Sequence, residues 1–182
     1  MLFVSEQRLV IVKIVSDSIP KYVEGIYHAE VVSIPGMRIN QLTNKIQKGH
    51  VILDTPISII HVGTNDVVGM EAGAMLSAYN NLISQIRSKS NTKIVMSALL
   101  PRPVDHISLG DKVKLVNNRL KLLCKDRRVE FLHTFRPFIK GGVPLRELFA
   151  INDQGLHLNT EGTRRLRQFF INSVAHLIHG FK

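Results

Sequence analysis

The chain has 182 residues, 45% of them hydrophobic and 21% charged, which suits one globular domain with its own core rather than a disordered or fibrous chain. Its net charge of +10 and pI near 10.1 fit a phosphate-bearing partner, either RNA or an anionic membrane surface. The positives are scattered, however: Lys112/Lys114, Lys125/Arg127/Arg128 and Arg164/Arg165/Arg167 fall where helices turn toward solvent and read first as solvated faces.

In chain order, the opening MLFVSEQRLV lacks the basic start and small-residue cleavage site of a signal peptide. No apolar run approaches the ~18 residues of a membrane span, so the expected setting is intracellular and cytoplasmic. Short apolar runs bounded by turn residues then alternate with stretches of helical period, the pattern of β-α units building a parallel sheet. The predicted strands cover residues 9–15, 28–34, 57–62, 93–99 and 129–132, and the third is almost wholly apolar, as a central strand covered on both faces should be.

Between the strands, Ile39, Leu42 and Ile46 mark a short amphipathic helix stopped by Gly49. Met75, Tyr79, Leu82, Ile83 and Ile86 give a longer one, and Val113, Val116, Leu120 and Leu123 a third. Cys124, the single cysteine, excludes an internal disulfide and reads as a small buried hydrophobe. A last helix opens near Asn159 or Thr160 with Glu161 in its first turn, buries Leu166, Phe169, Phe170, Val174 and Leu177, and closes at Gly180. Irregular structure is expected only over 101–109 and 134–156, within one domain spanning 1–182.

Ligands of open parallel sheets bind beyond the carboxyl ends of the strands. Ser16-Asp17-Ser18 after the first strand supplies a hydroxyl that becomes a nucleophile if a base lies within reach. Singly it is an ordinary turn, as are Pro35-Gly36 and Gly63-Thr64-Asn65-Asp66. Jointly, the backbone amides of Ser18 and Gly36 and the side chain of Asn65 are three donors for a developing oxyanion. His157, in INDQGLHLNTEG, is the candidate base. No histidine, cysteine and carboxylate spacing matches a zinc site, so neither metal nor cofactor is expected. His61 reads as a satisfied core residue and His106 as a solvated loop residue, with a place in the pocket as its alternative.

SDS, IPG, HVGTND and LHLN, in that order, resemble the four sequence blocks of the SGNH or GDSL-type hydrolases. The resemblance implies a three-layer α/β/α sandwich whose five-stranded parallel sheet has the flavodoxin-like order 2-1-3-4-5. It also implies ester hydrolysis through an acyl-serine intermediate, with Ser18 as nucleophile, His157 as base and Ser18, Gly36 and Asn65 forming the oxyanion hole. HVGTNDV, LLPRPVDH and LHLNTEGTRRL are similar, more narrowly, to the esterase domain of proteins encoded by vertebrate LINE-type retrotransposons. That likeness implies a relative of the platelet-activating-factor acetylhydrolases, acting on a small-molecule or lipid ester, and a domain of a longer protein that associates with RNA.

Two positions depart from the family pattern. Ser16 stands where the first block has glycine, which matters if that position needs a positive φ. Gln154 stands three residues before His157, where the family has its aspartate, and Asp153 is one residue further away. Either the loop bulges so that Asp153 reaches the ring, helped by Gly155, or the site is a Ser18–His157 dyad of weak activity. From another functional class comes a catalytically weak or inactive module that keeps the fold and binds RNA or anionic lipid.

Overall fold

The computed structural model describes residues 9–18 and 25–180; the expectations for residues 1–8 and for the Ile-Pro step after Ser18 lie outside the described residues. The sheet is built from β1 (Val12–Ser16), β2 (Ala29–Ser33), β3 (Ile57–His61), β4 (Lys93–Ser97) and β5 (Glu130–Leu132). All pairings are parallel and the order is β2-β1-β3-β4-β5, as the resemblance implies. Every residue of β1 and β3 is buried because both faces of these central strands are covered, which is why they lack polar alternation. Leu9 and Val10, expected in the first strand, precede it and are 70% and 38% exposed. The ladder opens only at Val12, which faces Ala29 on one side and Ile57 on the other.

Side-chain alternation sorts the core into two layers. Val15, Ile60 and Met96 point toward α1 (Ile39–Gln47), α2 (Ala72–Lys89) and α3 (His106–Asp126), meeting Leu42, Tyr79, Leu82 and Val116. Ile14, Ile59 and Val95 point the other way, toward α4 (Thr160–His179) and its Leu166, Phe170, Val174 and Leu177. The result is an α/β/α sandwich. Phe169, expected on the buried face of α4, is only partly covered, because its place beside Phe170 turns it toward the rim.

The irregular stretches are more ordered than expected. A 3₁₀ turn at Pro103–Asp105 leads straight into α3, so His106 is helical, its ring lying over Gly110 one turn on. Residues 134–156 contain 3₁₀ turns at Arg136–Phe138 and Arg146–Leu148 and a two-stranded antiparallel hairpin, β6 (Ile139–Lys140) with β7 (Val143–Pro144). Gly141 and Gly142, at φ +57° and +80°, make the hairpin turn, a Gly-Gly signal legible in the sequence. Among the described residues, no helix is long and apolar enough to cross a membrane.

Candidate active site

The carboxyl ends of β1, β2 and β3 are tied together just below the serine. Asp17 N–H donates to the His61 carbonyl (3.0 Å), Ile34 N–H to the Ser16 carbonyl (2.9 Å) and Ser33 Oγ to the Asp17 carbonyl (2.8 Å). Ser18 therefore emerges from a turn whose preceding residues are fixed on both sides. Ser16 has no positive φ and stays paired as the last residue of β1, so the backbone does not require the glycine found there in the family's first block.

After β2, Met37 N–H closes a turn on the Ile34 carbonyl (3.1 Å), with Pro35 and then Gly36 at φ +75° in the middle. That is the Pro-Gly arrangement of a type II turn, and it leaves the Gly36 amide outside the turn's own hydrogen bond. No atom lies within 4 Å of where a Gly36 side chain would begin. After β3, Gly63 takes φ +121°, and a Cβ there would meet the Tyr79 hydroxyl at 2.1 Å. Tyr79 donates that hydroxyl to the Val62 carbonyl (2.6 Å), Arg102 donates to the Thr64 carbonyl (3.0 Å), and Asp66 accepts from the first amide of α1, Ile39 (3.1 Å). Asn65 Nδ2 donates to the Met37 carbonyl (3.0 Å), joining this loop to the Pro35-Gly36 turn.

The loop carrying His157 is clipped at its base. Phe149 and Leu158 form an isolated antiparallel bridge, and Ala150 N–H donates to the His157 carbonyl (2.9 Å). Just beyond, Asn159 caps α4 by accepting from Gly162 N–H (2.9 Å). Inside the clip, Gln154 at φ +57° and Gly155 at φ +92° reverse the chain. Gly155 is constrained twice, since a Cβ would also sit 2.6 Å from Pro103.

This reversal brings the Asp153 carboxylate back onto the ring: Oδ2 lies 2.6 Å from His157 Nδ1 and also accepts the His157 N–H at 3.1 Å. Oδ1 accepts from the amides of Gly155 (3.2 Å) and Leu156 (3.1 Å). Desolvation is the largest influence on this carboxyl and acts to raise its pKa, but the imidazole and the three backbone amides outweigh it and hold the group below its usual value of 3.8. Asp153 is therefore a carboxylate throughout the neutral range. Gln154 faces a different cleft, beside Pro103 and Arg146, and does not orient the ring. On the other side of the imidazole, Nε2 lies 3.3 Å from Ser18 Oγ.

Ser18, His157 and Asp153 thus stand in one hydrogen-bonded line, and they open onto a cavity of about 410 Å³ walled also by Pro35, Ala150, Asn152 and Leu158. Gly36 and Asn65 sit on the adjacent loops, linked through Met37. Pro35 and Leu158 fall within the IPG and LHLN blocks, whereas Ala150 and Asn152 carry no chemical signature and the roles of Asp66 and Arg102 have none in the sequence. Cys124 is buried and its thiol is pushed up to about 12 by desolvation, consistent with a core hydrophobe. Among the described residues no cluster of three potential metal ligands occurs.

His61 is wholly buried beneath this site, its Nδ1 2.8 Å from Ser97 Oγ. Burial lowers its pKa below 6.5, against an opposing pull from the nearby Asp17. Below pH 6.5 the unfolded chain takes up a proton that the buried ring refuses, so stability falls with acid by up to about 1.4 kcal/mol per pH unit. Replacing it, His61→Asn, should flatten that slope in urea unfolding followed from neutral to mildly acid pH. An unchanged slope would show that the ring takes up its proton in the folded state.

A GDSL-like lipase/acylhydrolase family profile matches residues 15–165, a span reaching from the end of β1 past His157 into α4. The chain belongs to the GDSL-like lipase/acylhydrolase family. Comparison with curated proteins gives no match. Among solved structures, a GDSL-like lipase from Bacteroides thetaiotaomicron superposes with a TM-score of 0.75 at 14% identity, covering 91% of this chain and 88% of that one. A Streptococcus pneumonia protein described as a platelet activating factor gives 0.75 at 19%, covering 90% and 83%. The esterase domain of the ORF1 protein from the zebrafish ZfL2-1 retrotransposon gives 0.50 at 23%, covering 90% and 98%. At these identities the likenesses establish a shared fold, and the family assignment rests on the profile.

Proposed function

We propose that this member of the GDSL-like family is a serine esterase acting on carboxylic esters with a short acyl chain. The observation that carries the reading is the line Ser18 Oγ, His157 Nε2, His157 Nδ1, Asp153 Oδ2, with separations of 3.3 and 2.6 Å at its two ends. Asp153 holds the ring with its proton on Nδ1, which leaves Nε2 as the acceptor for the Ser18 proton. Ser18 Oγ attacks the ester carbonyl, His157 returns the proton to the departing alcohol, and water then releases the acid by the same route. The charge on the carbonyl oxygen is met by the amides of Ser18 and Gly36 and by the second N–H of the Asn65 amide, whose first is spent on Met37.

Chromogenic esters of increasing acyl length test this directly: rates should be highest for the acetate and fall as the chain grows, and failure to hydrolyse any of them contradicts the reading. Asn65→Ala should lower kcat about 10²- to 10³-fold with little change in KM, the size expected for one oxyanion donor. Unaltered kcat in a variant that melts normally would remove Asn65 from that role.

The net charge of +10 supports a second reading, that the basic surface associates with RNA or anionic lipid. Salt-sensitive RNA binding by an otherwise inactive domain would favour it. The likeness to a domain of a retrotransposon ORF1 protein supports placing this domain within a longer protein.

A further inference from the structure

We propose that the groove between α1 and the Pro35-Gly36 turn is a second subsite, which takes an anionic group, a carboxylate above all, at the far end of the substrate's acyl chain. This rests on the esterase reading and narrows it to monoesters of short dicarboxylic acids. The groove, about 420 Å³, is walled on one side by residues 34–37 and on the other by Gln41, Asn44, Lys45, Lys48 and His50. The first four of these follow the i, i+3, i+4, i+7 spacing of one helix face, so their amide and ammonium groups project together.

The charge of this face is uncompensated. Neither α1 nor the groove lining contains an acid. Among the described residues Lys45 and Lys48 stand in no ion pair with a carboxylate, as is true of most basic side chains here; what sets these two apart is that both wall one groove that holds no acid. Capping of the helix end does not occupy them either. The carbonyls of Asn44, Lys45 and Ile46 are satisfied by the backbone amides of Lys48 (3.0 Å), His50 (2.8 Å) and Gly49 (3.1 Å), so the ammonium groups are left for another partner.

Position assigns the partner to the acyl side. Pro35 walls both this groove and the cavity holding Ser18 and His157, so a chain bound to Ser18 needs only to cross that residue to enter the groove. The departing alcohol oxygen must stay beside His157 Nε2 to receive its proton, and His157 belongs to the catalytic cavity and not to the groove. Gly36, the next residue in the groove wall, is the one whose amide the esterase reading assigns to the oxyanion. What continues past Gly36, away from His157, is the acyl chain. Two lysines in an open groove attract a carboxylate over a Debye length, so the preference should weaken with salt.

The test compares two esters of equal acyl length, 4-nitrophenyl hexanoate and mono-4-nitrophenyl adipate, after subtraction of the enzyme-free rate, since a free carboxylate can attack its own ester. At low salt the native chain should favour the adipate ester in kcat/KM by about threefold or more, the scale of exposed ion pairs. The double variant Lys45→Gln/Lys48→Gln should lose that preference while keeping its rate on 4-nitrophenyl acetate. Equal ratios in the two proteins, or no preference in the native chain, overturn the proposal. A lysine-dependent gain for 4-acetoxybenzoate, whose anion lies on the alcohol side, overturns the acyl assignment. Should no ester be hydrolysed in a Ser18-dependent way, the esterase reading falls and the groove is judged by binding alone. Monomethyl adipate titrated into Ser18→Ala protein should shift the amide NMR signals of Gly36, Lys45 and Lys48, and absence of any shift overturns the subsite.

Discussion

An Asp153→Asn variant should hydrolyse a chromogenic ester about 10³- to 10⁴-fold more slowly than the native chain, with KM nearly unchanged. The amide can still accept the Gly155 and Leu156 N–H groups through Oδ1, which keeps most of the loop's ties, although the His157 N–H loses the acceptor it has in Oδ2. Its nitrogen, however, presents a donor where His157 Nδ1 needs an acceptor, which puts the ring proton on the wrong nitrogen and leaves the imidazolium without a counter-charge. Gln154→Ala, one residue closer to the histidine, leaves the rate unaltered, because that side chain faces the Pro103 cleft. The pair of variants separates a carboxylate that works through the ring from a loop that is merely sensitive to change. Native rates from both would reduce the site to a Ser18–His157 dyad.

Ser18→Ala and His157→Ala should each lower kcat by about 10⁶, and the double variant should lose no more than either alone. Such non-additivity is the signature of groups acting as one unit, because without the nucleophile the base has nothing to activate. The residual rate above water is expected from the proposed oxyanion donors, which neither substitution touches. Losses that multiply in the double variant would mean that the two residues act in separate steps. Thermal melts close to that of the native chain are expected throughout, since Ser18 and His157 are both partly exposed and neither is part of the core.

The sheet and its four helices were legible because their signals are strong and local. Buried strands such as 57–61 are rich in isoleucine, with Ser58 and His61 as the exceptions, and the helices repeat apolar residues at their own period, so it is mainly the strand ends that differ, as at Leu9 and Val10. Strand order is a different matter: periodicity cannot give it, and the expectation of 2-1-3-4-5 came from the family resemblance. Segment 134–156 shows no period in the sequence because its hairpin and 3₁₀ turns are too short for one, although Gly141-Gly142 carries a turn signal.

At the site, the sequence named Ser18, His157, Gly36 and Asn65 but left Asp153 open between a bulged loop and a dyad. That question turned on two backbone angles, the positive φ of Gln154 and Gly155, and a non-glycine residue at φ +57° is seldom foreseen from its identity. The concern over Ser16 dissolved for the same kind of reason, since its place at the end of β1 asks for no unusual φ. Asp66 as the acceptor for α1 and Arg102 as the brace of Thr64 depend on contacts between distant segments, which neither spacing nor periodicity encodes.

Covalent capture reads out whether Ser18 is a nucleophile activated by His157. A fluorophosphonate esterifies an activated serine and stops there, so intact-mass spectrometry followed by peptide mapping reads the site itself without knowledge of the natural ester. The native chain should gain one adduct, mapped to Ser18. Ser18→Ala should gain none, and His157→Ala should react far more slowly. A native chain that remains unlabelled, or an adduct at another residue that persists in Ser18→Ala, would rule out an activated Ser18.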